Sequence, residues 1–295
     1  MQIVVTLIGA PASVGLPASL ARKVAERLPG APRPVWLADD LACDLSCAGA
    51  DPTAIATVAN AALDGAPIDC VVQPVAGRRK RLLVADMDST IIEQECIDEL
   101  ADAVGLRDRV SAITERAMRG EIAFEPALRE RVALLKGLNR DALARVYDQR
   151  IRLRPGARQL VATMRAHGAY AALVSGGFTF FTERIAEAAG FDENRANVLE
   201  FEGDSLAGTV REPILSRQAK LDTLEELTRR LAIDRLLTLA IGDGANDLAM
   251  ITAAGLGVAF HAKPAVAAAA HARIDHGDLE ALLYVQGYHA GEIVG

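Results

Sequence analysis

The stretch Leu82-Leu83-Val84-Ala85-Asp86-Met87-Asp88-Ser89-Thr90 decides the fold. Four apolar residues in unbroken succession read as a strand buried on both faces, the pattern of a parallel sheet. An acidic turn follows at once. The same order recurs twice: Ala169–Val174 runs into Ser175-Gly176-Gly177, and Leu236–Ile241 runs into Gly242-Asp243-Gly244-Ala245-Asn246-Asp247. Leu256–Phe260 is a further buried strand. Helical patterns lie between them, which predicts an α/β fold with a parallel sheet covered by helices. Ligands of such sheets bind beyond the carboxyl ends of the strands. Polar groups far apart in sequence are therefore expected to meet at one edge.

Those groups suit one chemistry. Asp86 and Asp88 lie two residues apart, and Asp243 and Asp247 add two more carboxylates. Four acids at one edge repel one another unless a cation sits among them. An all-oxygen donor set favours a hard ion, with Mg²⁺ the leading candidate. Ser175 supplies a hydroxyl, Lys220 a positive charge, and Gly176, Gly177, Gly242 and Gly244 allow close backbone approach. Together they fit a phosphoryl group. Taken singly, an Asp-x-Asp or a Gly-Asp-Gly is most often a solvated turn. It is their placement, each directly after an apolar strand, that separates this set from chance.

Outward from this core, residues 93–150 are helical and charged, without a strand, and read as an insert after the first core strand. The core proper is then 77–92 with 151–295. Residues 1–76 read differently. Strand Gln2–Ile8, helix Leu16–Leu28, strands Pro34–Ala38 and Leu41–Leu45 around an Asp39-Asp40 turn, helix Pro52–Leu63 and strand Ile68–Val72 give βαββαβ, the ferredoxin-like order. Asp51 is the expected N-cap of the second helix, with Pro52 at its first position. The basic run Gly77–Arg81 reads as a solvated entry into the next strand.

The 295 residues suffice for two or three domains, and 51% hydrophobic with 24% charged residues is ordinary globular composition. Aromatic residues contribute only 4%, so Ala, Leu and Val build the core. With 32 basic against 39 acidic residues the net charge is −7, which argues against nucleic acid as a partner. No apolar run reaches the ~18–20 residues needed to cross a bilayer, so no membrane partner is expected. Ile3–Ala10 lacks the charged start of a signal peptide. Cys43, Cys47, Cys70 and Cys96 are too few and scattered for a disulfide scaffold, and a reducing cytoplasmic location is expected.

Asp86–Thr90 resembles the first motif of the haloacid dehalogenase superfamily, and Ser175, Lys220 and Gly242–Asp247 resemble its second, third and fourth. Asp86–Glu95, Arg119–Lys136, Leu173–Phe178 and Gly242–Met250 are similar to the phosphoserine phosphatase family within it. The resemblance covers about residues 80–285. It implies a Rossmann-like core with a helical cap, a phosphoserine substrate and the last step of serine biosynthesis. It also implies that Asp86 is the nucleophile, that Asp88 is general acid and then base, and that Mg²⁺ is held by Asp86, the Asp88 carbonyl and Asp243 with Asp247 in support. Ser175, Gly176, Lys220 and Asn246 then surround the phosphate. Glu95 matches the position facing the substrate ammonium and Arg131 that facing its carboxylate. Met118 and Phe124 match apolar residues that close over the substrate. Homoserine phosphate is the neighbouring substrate, one methylene longer, which a pocket discriminates by only ~1–3 kcal/mol. The competing class, a non-catalytic amino-acid-binding regulator, would be expected to have lost its nucleophile. By element order alone, residues 1–76 are similar to small amino-acid-binding regulatory domains. A structural role, or a homodimer through this segment, fits the same order.

Overall fold

The computed structural model describes residues 1–10, 15–49, 51–118 and 121–295, with the side chain of Met118 outside the description. The expectation for Met118 therefore lies beyond the described residues. Among the described residues the strands form three sheets.

The N-terminal sheet is built from β1 (Gln2–Gly9), β2 (Val35–Ala38), β3 (Ala42–Ala48) and β4 (Ile68–Pro74), in the order β2-β3-β1-β4 with every pair antiparallel. Helices α1 (Ala18–Ala25) and α2 (Pro52–Leu63) complete the ferredoxin-like arrangement. Asp51 caps α2 as expected, accepting the Thr53 amide at 2.8 Å. Ile3, Val5, Leu7, Cys43 and Leu45 alternate onto the face that packs on both helices. On the other face, Ile8, Leu37, Ala42 and Val71 join the main core of the molecule.

The second sheet has six parallel strands: β5 (Leu82–Ala85), β6 (Tyr170–Phe178), β7 (Glu193–Asn197), β10 (Thr238–Gly242), β11 (Leu256–Phe260) and β12 (Ala272–Ile274). Their order is β12-β11-β10-β5-β6-β7, so the strand that opens the sheet in sequence lies inside it. Both faces are covered. Leu82, Val84, Ala172 and Ala240 pack against α9 (Gln218–Arg230) and α10 (Leu248–Ala253). Leu83, Ala85, Leu173 and Leu239 face α7 (Ala157–Ala166) and α8 (Thr179–Ala189). Among its described residues the insert carries four helices: α3 (Cys96–Ala103), α4 (Arg107–Met118), α5 (Phe124–Leu134) and α6 (Arg140–Arg150). A hairpin of β8 (Leu199–Glu202) and β9 (Ser205–Val210) leaves the sheet and packs against α5.

The run Gly77–Arg81 is solvated as expected at Gly77, Arg79 and Arg81, but Arg78 and Lys80 turn inward. Arg78 reaches into the N-terminal sheet, pairing with Asp44 at 2.6 Å and donating to Thr6 Oγ1 and to the Val285 carbonyl. That carbonyl belongs to α12 (Ala281–Val285), which also receives Gln73. Lys80 is buried and donates to the Gly77 and Leu236 carbonyls. These cations face inward because the joint between the two sheets presents carbonyls and a carboxylate that need donors. Asp69 of β4 secures the joint's other side by accepting the amides of Asp275, His276 and Gly277.

Candidate active site

Register brings the polar turns together. Ala85 pairs with Leu173 on one side and Ile241 on the other, so the ends of β5 and β10 lie level with the Val174–Ser175 part of β6, which runs on to Phe178. Asp86 leaves β5 with its amide bound to the Ile241 carbonyl at 3.0 Å. Asp243 and Asp247 follow β10. Lys220 is carried by α9, one turn before Leu224 and two before Leu227. That i, i+4, i+7 stripe is the buried face of the helix and aims the lysine at the sheet.

The lysine binds two carboxylates at once: its Nζ lies 2.5 Å from Asp86 Oδ1 and 2.6 Å from Asp247 Oδ1. Asp247 turns its other oxygen to the Gly244 amide at 3.0 Å. Burial works against the Lys220 charge, but Asp86 and Asp247 outweigh it and hold the ammonium above the ordinary lysine value. Burial and then the Asp247 charge push the Asp86 carboxyl well up. Asp243 is raised as well, by burial first and Asp247 second. Oxygen atoms of Asp86, Asp243 and Asp247 lie within 4.8 Å of one another. Three carboxylates around one ammonium leave excess negative charge, and a hard divalent cation fits both the deficit and the all-oxygen donors. The cluster places Asp247 among the candidate ligands as well as at Lys220.

Asp88 is held apart from that cluster. The turn Met87–Ile91 departs from helical geometry at Asp88 (φ −64°, ψ 135°) and Ser89 (φ 57°). Asp88 Oδ1 accepts the Cys96 amide at 2.8 Å, and Oδ2 accepts the Ser175 hydroxyl at 3.1 Å. Burial raises the Asp88 carboxyl despite both bonds. The Gly177 amide in turn donates to Ser175 Oγ at 2.8 Å. A β-carbon on Gly177 would sit 3.1 Å from Asp88 Oδ2 and 3.0 Å from Ser175 Oγ, so this close approach suits glycine.

The insert roofs the same edge. Phe124, at the start of α5, lies 3.2 Å from the position a β-carbon on Gly176 would take. Arg131 donates to the Ala127 carbonyl and the Thr114 hydroxyl, both at 3.3 Å, and its charge faces Asp98, Glu95 and Asp88. Glu95 accepts the Ser89 hydroxyl at 2.8 Å. Crowding by protein atoms, then the Asp88 charge, push its carboxyl up to about 8 although its edge stays exposed. Asn246 is exposed beside Gly244.

Three contributors escaped the sequence reading. Buried Asn197 donates to the Gly176 carbonyl at 2.9 Å and accepts the Leu215 amide at 2.7 Å, fixing the Ser175–Gly177 end of β6. It ends β7, whose polar sequence hides the strand. The Cys96 contribution is a backbone amide, which no residue type announces. Arg154 donates twice to the Ser89 carbonyl.

Comparison with known proteins agrees with this geometry. The profile of the haloacid dehalogenase-like hydrolases matches residues 83–252. A phosphoserine phosphatase of Archaeoglobus fulgidus is 49% identical over 198 residues, 66% of this chain but only 57% of that protein's length. One from Albidiferax ferrireducens is 48% identical over 208 residues, covering 69% of this chain and 88% of the relative. The crystal structure of a probable phosphoserine phosphatase from Vibrio cholerae superposes with a TM-score of 0.79 at 31% identity, over 99% of this chain and 88% of the other. Fold, strand-end site and relatives converge: the chain belongs to the haloacid dehalogenase-like hydrolases, within their phosphoserine phosphatase family.

Proposed function

We propose that this chain hydrolyses O-phospho-L-serine to L-serine and phosphate through an aspartyl-phosphate on Asp86, the closing step of serine synthesis. The observation that carries the reading is the pairing of Lys220 with both Asp86 and Asp247, on a sheet edge where Phe124 of the insert packs on Gly176 and the Arg131 charge faces Asp88. Lys220 offsets the charge that would keep a dianionic phosphate from an anionic nucleophile. An Asp86 oxygen attacks phosphorus while Asp88 gives its proton to the departing seryl oxygen. The raised Asp88 carboxyl suits that role, since the acid must be protonated before it can donate. Asp88, now a carboxylate, then takes a proton from the water that attacks the aspartyl-phosphate, which frees phosphate and restores Asp86. Ser175 and Gly177 fix the Asp88 carboxylate for both steps. Asp86, Asp243 and the Asp88 carbonyl, with Asp247 in support, would hold Mg²⁺, which would polarise the phosphoryl oxygens.

Glu95 and Arg131 are assigned to the substrate's ammonium and carboxylate, and Phe124 to closure over it. Residues 77–92 and 151–295 form the catalytic core in this reading, 93–150 the cap and 1–76 a regulatory or dimerising unit. One face of the N-terminal sheet is taken up by the core, so a homodimer through this unit would use β2 or the α1–α2 face. All four cysteines are free, in keeping with a cytoplasmic location. No helix among the described residues is long and apolar enough to cross a membrane.

The test is phosphate release from phosphoserine, phosphohomoserine and p-nitrophenyl phosphate, with Mg²⁺ and with EDTA. Mg²⁺-dependent turnover with the highest kcat/KM on phosphoserine is expected. A higher kcat/KM on another substrate, or no release at all, overturns the assignment.

A further inference from the structure

Within the catalytic turn, Ser89 alone adopts left-handed backbone, at φ 57° and ψ 0°. A residue with a β-carbon holds that conformation only where its surroundings impose it. Every polar atom of Ser89 is engaged. Its amide donates to the Gln94 carbonyl at 3.2 Å and its hydroxyl to Glu95 at 2.8 Å. Its carbonyl accepts from both Nε and Nη2 of Arg154, at 3.2 and 3.0 Å.

Arg154 comes from a different part of the chain. The polypeptide leaves the core for the insert at 91–95 and returns at 151–154. The two crossings are laced together: Glu93 donates to the Arg152 carbonyl at 3.1 Å, Arg154 to the Ile91 carbonyl at 2.9 Å, and Ile92 bridges Leu153. From the returning crossing, the Arg154 guanidinium reaches over the pair onto the turn, with the Phe260 ring of β11 5.7 Å away. A fork of two donors on one carbonyl fixes the plane of the Ser89–Thr90 peptide. That turn sets the direction of Asp88 on one side and of the Ser89–Glu95 contact on the other.

We propose that Arg154 is a positioning residue, holding the Asp88–Ser89 turn through the Ser89 carbonyl so that Asp88 is aimed at the leaving oxygen. This rests on the phosphatase reading above. If Arg154 only tied the crossings together, its loss would lower melting temperature and leave substrate preference unchanged. A seryl leaving group needs the proton from Asp88, whereas nitrophenolate departs without one.

The experiment compares wild type, Arg154→Gln and Arg154→Lys by kcat/KM on phosphoserine and p-nitrophenyl phosphate, with melting temperatures, below the onset of unfolding. For Arg154→Gln a loss of about tenfold or more is expected on phosphoserine and under about threefold on the aryl ester. Arg154→Lys, a single ammonium in place of the fork, should recover part of the phosphoserine loss. It also carries the test alone, with a smaller but still phosphoserine-selective loss, if the Gln variant does not fold. Equal losses on both substrates, or unchanged rates with a lowered melting temperature, overturn the proposal. Wild type that turns over the aryl ester but not phosphoserine overturns the assigned activity, and this role with it. Wild type active on phosphoserine with equal variant losses overturns this role alone.

Discussion

The Lys220 ammonium lies 2.5 Å from the Asp86 carboxylate, and both side chains are more than nine-tenths enclosed. Removing either partner has different consequences. Asp86→Asn leaves Lys220 still paired with Asp247, so the fold should survive with little change in melting temperature while phosphate release falls to background. Lys220→Met leaves Asp86 and Asp247 facing each other without a cation. Breaking a buried pair in that way costs about 3–5 kcal/mol. In EDTA, thermal melting should therefore rank wild type and Asp86→Asn well above Lys220→Met. Normal turnover by Asp86→Asn would refute the nucleophile.

Glu95 yields a pH prediction. Its carboxyl is pushed up to about 8 in the folded chain, from 4.5 for a free one. Between those values the folded state holds a proton that the unfolded state has released. Stability attributed to this group is full below about pH 4.5 and declines as pH rises through 8. Glu95→Gln removes the decline. In EDTA the variant should gain melting temperature over wild type at pH 8.5 and gain little at pH 5. The gain is modest because the carboxyl edge is exposed. The same change should raise KM for phosphoserine, whose ammonium loses its partner. A gain that is the same at both pH values would rule out the titration.

What could be read from the residues follows from how each element is buried. β5, β10 and β11 lie inside a sheet covered on both faces, so their sequences are continuous apolar runs and stand out. β7 reads Glu-Asn-Arg-Ala-Asn at the sheet edge, and β12 has three residues, so neither shows a pattern. Asp86 and Asp243 were legible because they follow visible strands, and Ser175 because it closes the apolar run of β6, which the structure continues to Phe178. Lys220 was legible through its motif, and its place on the α9 stripe explains it. Asn197 was not, because it ends a strand that was itself invisible. Arg78 shows a different limit. Amid Arg79, Lys80 and Arg81 it reads as solvated, and only the fold brings it to Asp44.

The joint between the two sheets predicts what a chain beginning at Arg78 would do. The catalytic motifs all lie beyond that point, so the shortened chain should still release phosphate at low temperature. It would lose Asp44 from Arg78, Gln73 from the Val285 carbonyl and Asp69 from three amides. Ile8, Leu37, Ala42 and Val71 would also leave the core cluster they share with Leu283 and Tyr284. Uncovering that surface at about 25 cal/mol per Å² is destabilising. A lower melting temperature with kcat/KM preserved below it is the expected result. An unchanged melting temperature would show that the joint contributes nothing.

The proposed role of Arg131 predicts how selectivity responds to its loss, because the strand-end groups act on any phosphate and the choice must come from the far end of the substrate. The insert fixes the guanidinium from two sides, through the Ala127 carbonyl and the Thr114 hydroxyl. Burial pulls Arg131 below the usual arginine value, while Asp98, Glu95 and Asp88 pull it back up, so a cation sits waiting among acids. A substrate carboxylate can take it by two parallel N–H···O bonds, a geometry lysine does not reproduce. A substrate carboxylate paired there beneath the insert would be out of bulk water, which makes a missing partner costly, about 2–5 kcal/mol or roughly 30-fold to several thousand-fold. Arg131→Ala should lose that much kcat/KM on phosphoserine and far less on p-nitrophenyl phosphate, which has no carboxylate to bind. Arg131→Lys should recover only part, by restoring charge without the fork. Thr114→Val, which removes one of the two supports and keeps the arginine, should give a smaller loss confined to phosphoserine. If Arg131→Ala slows both substrates by the same factor, Arg131 serves the phosphate or the fold of the insert and does not read the carboxylate.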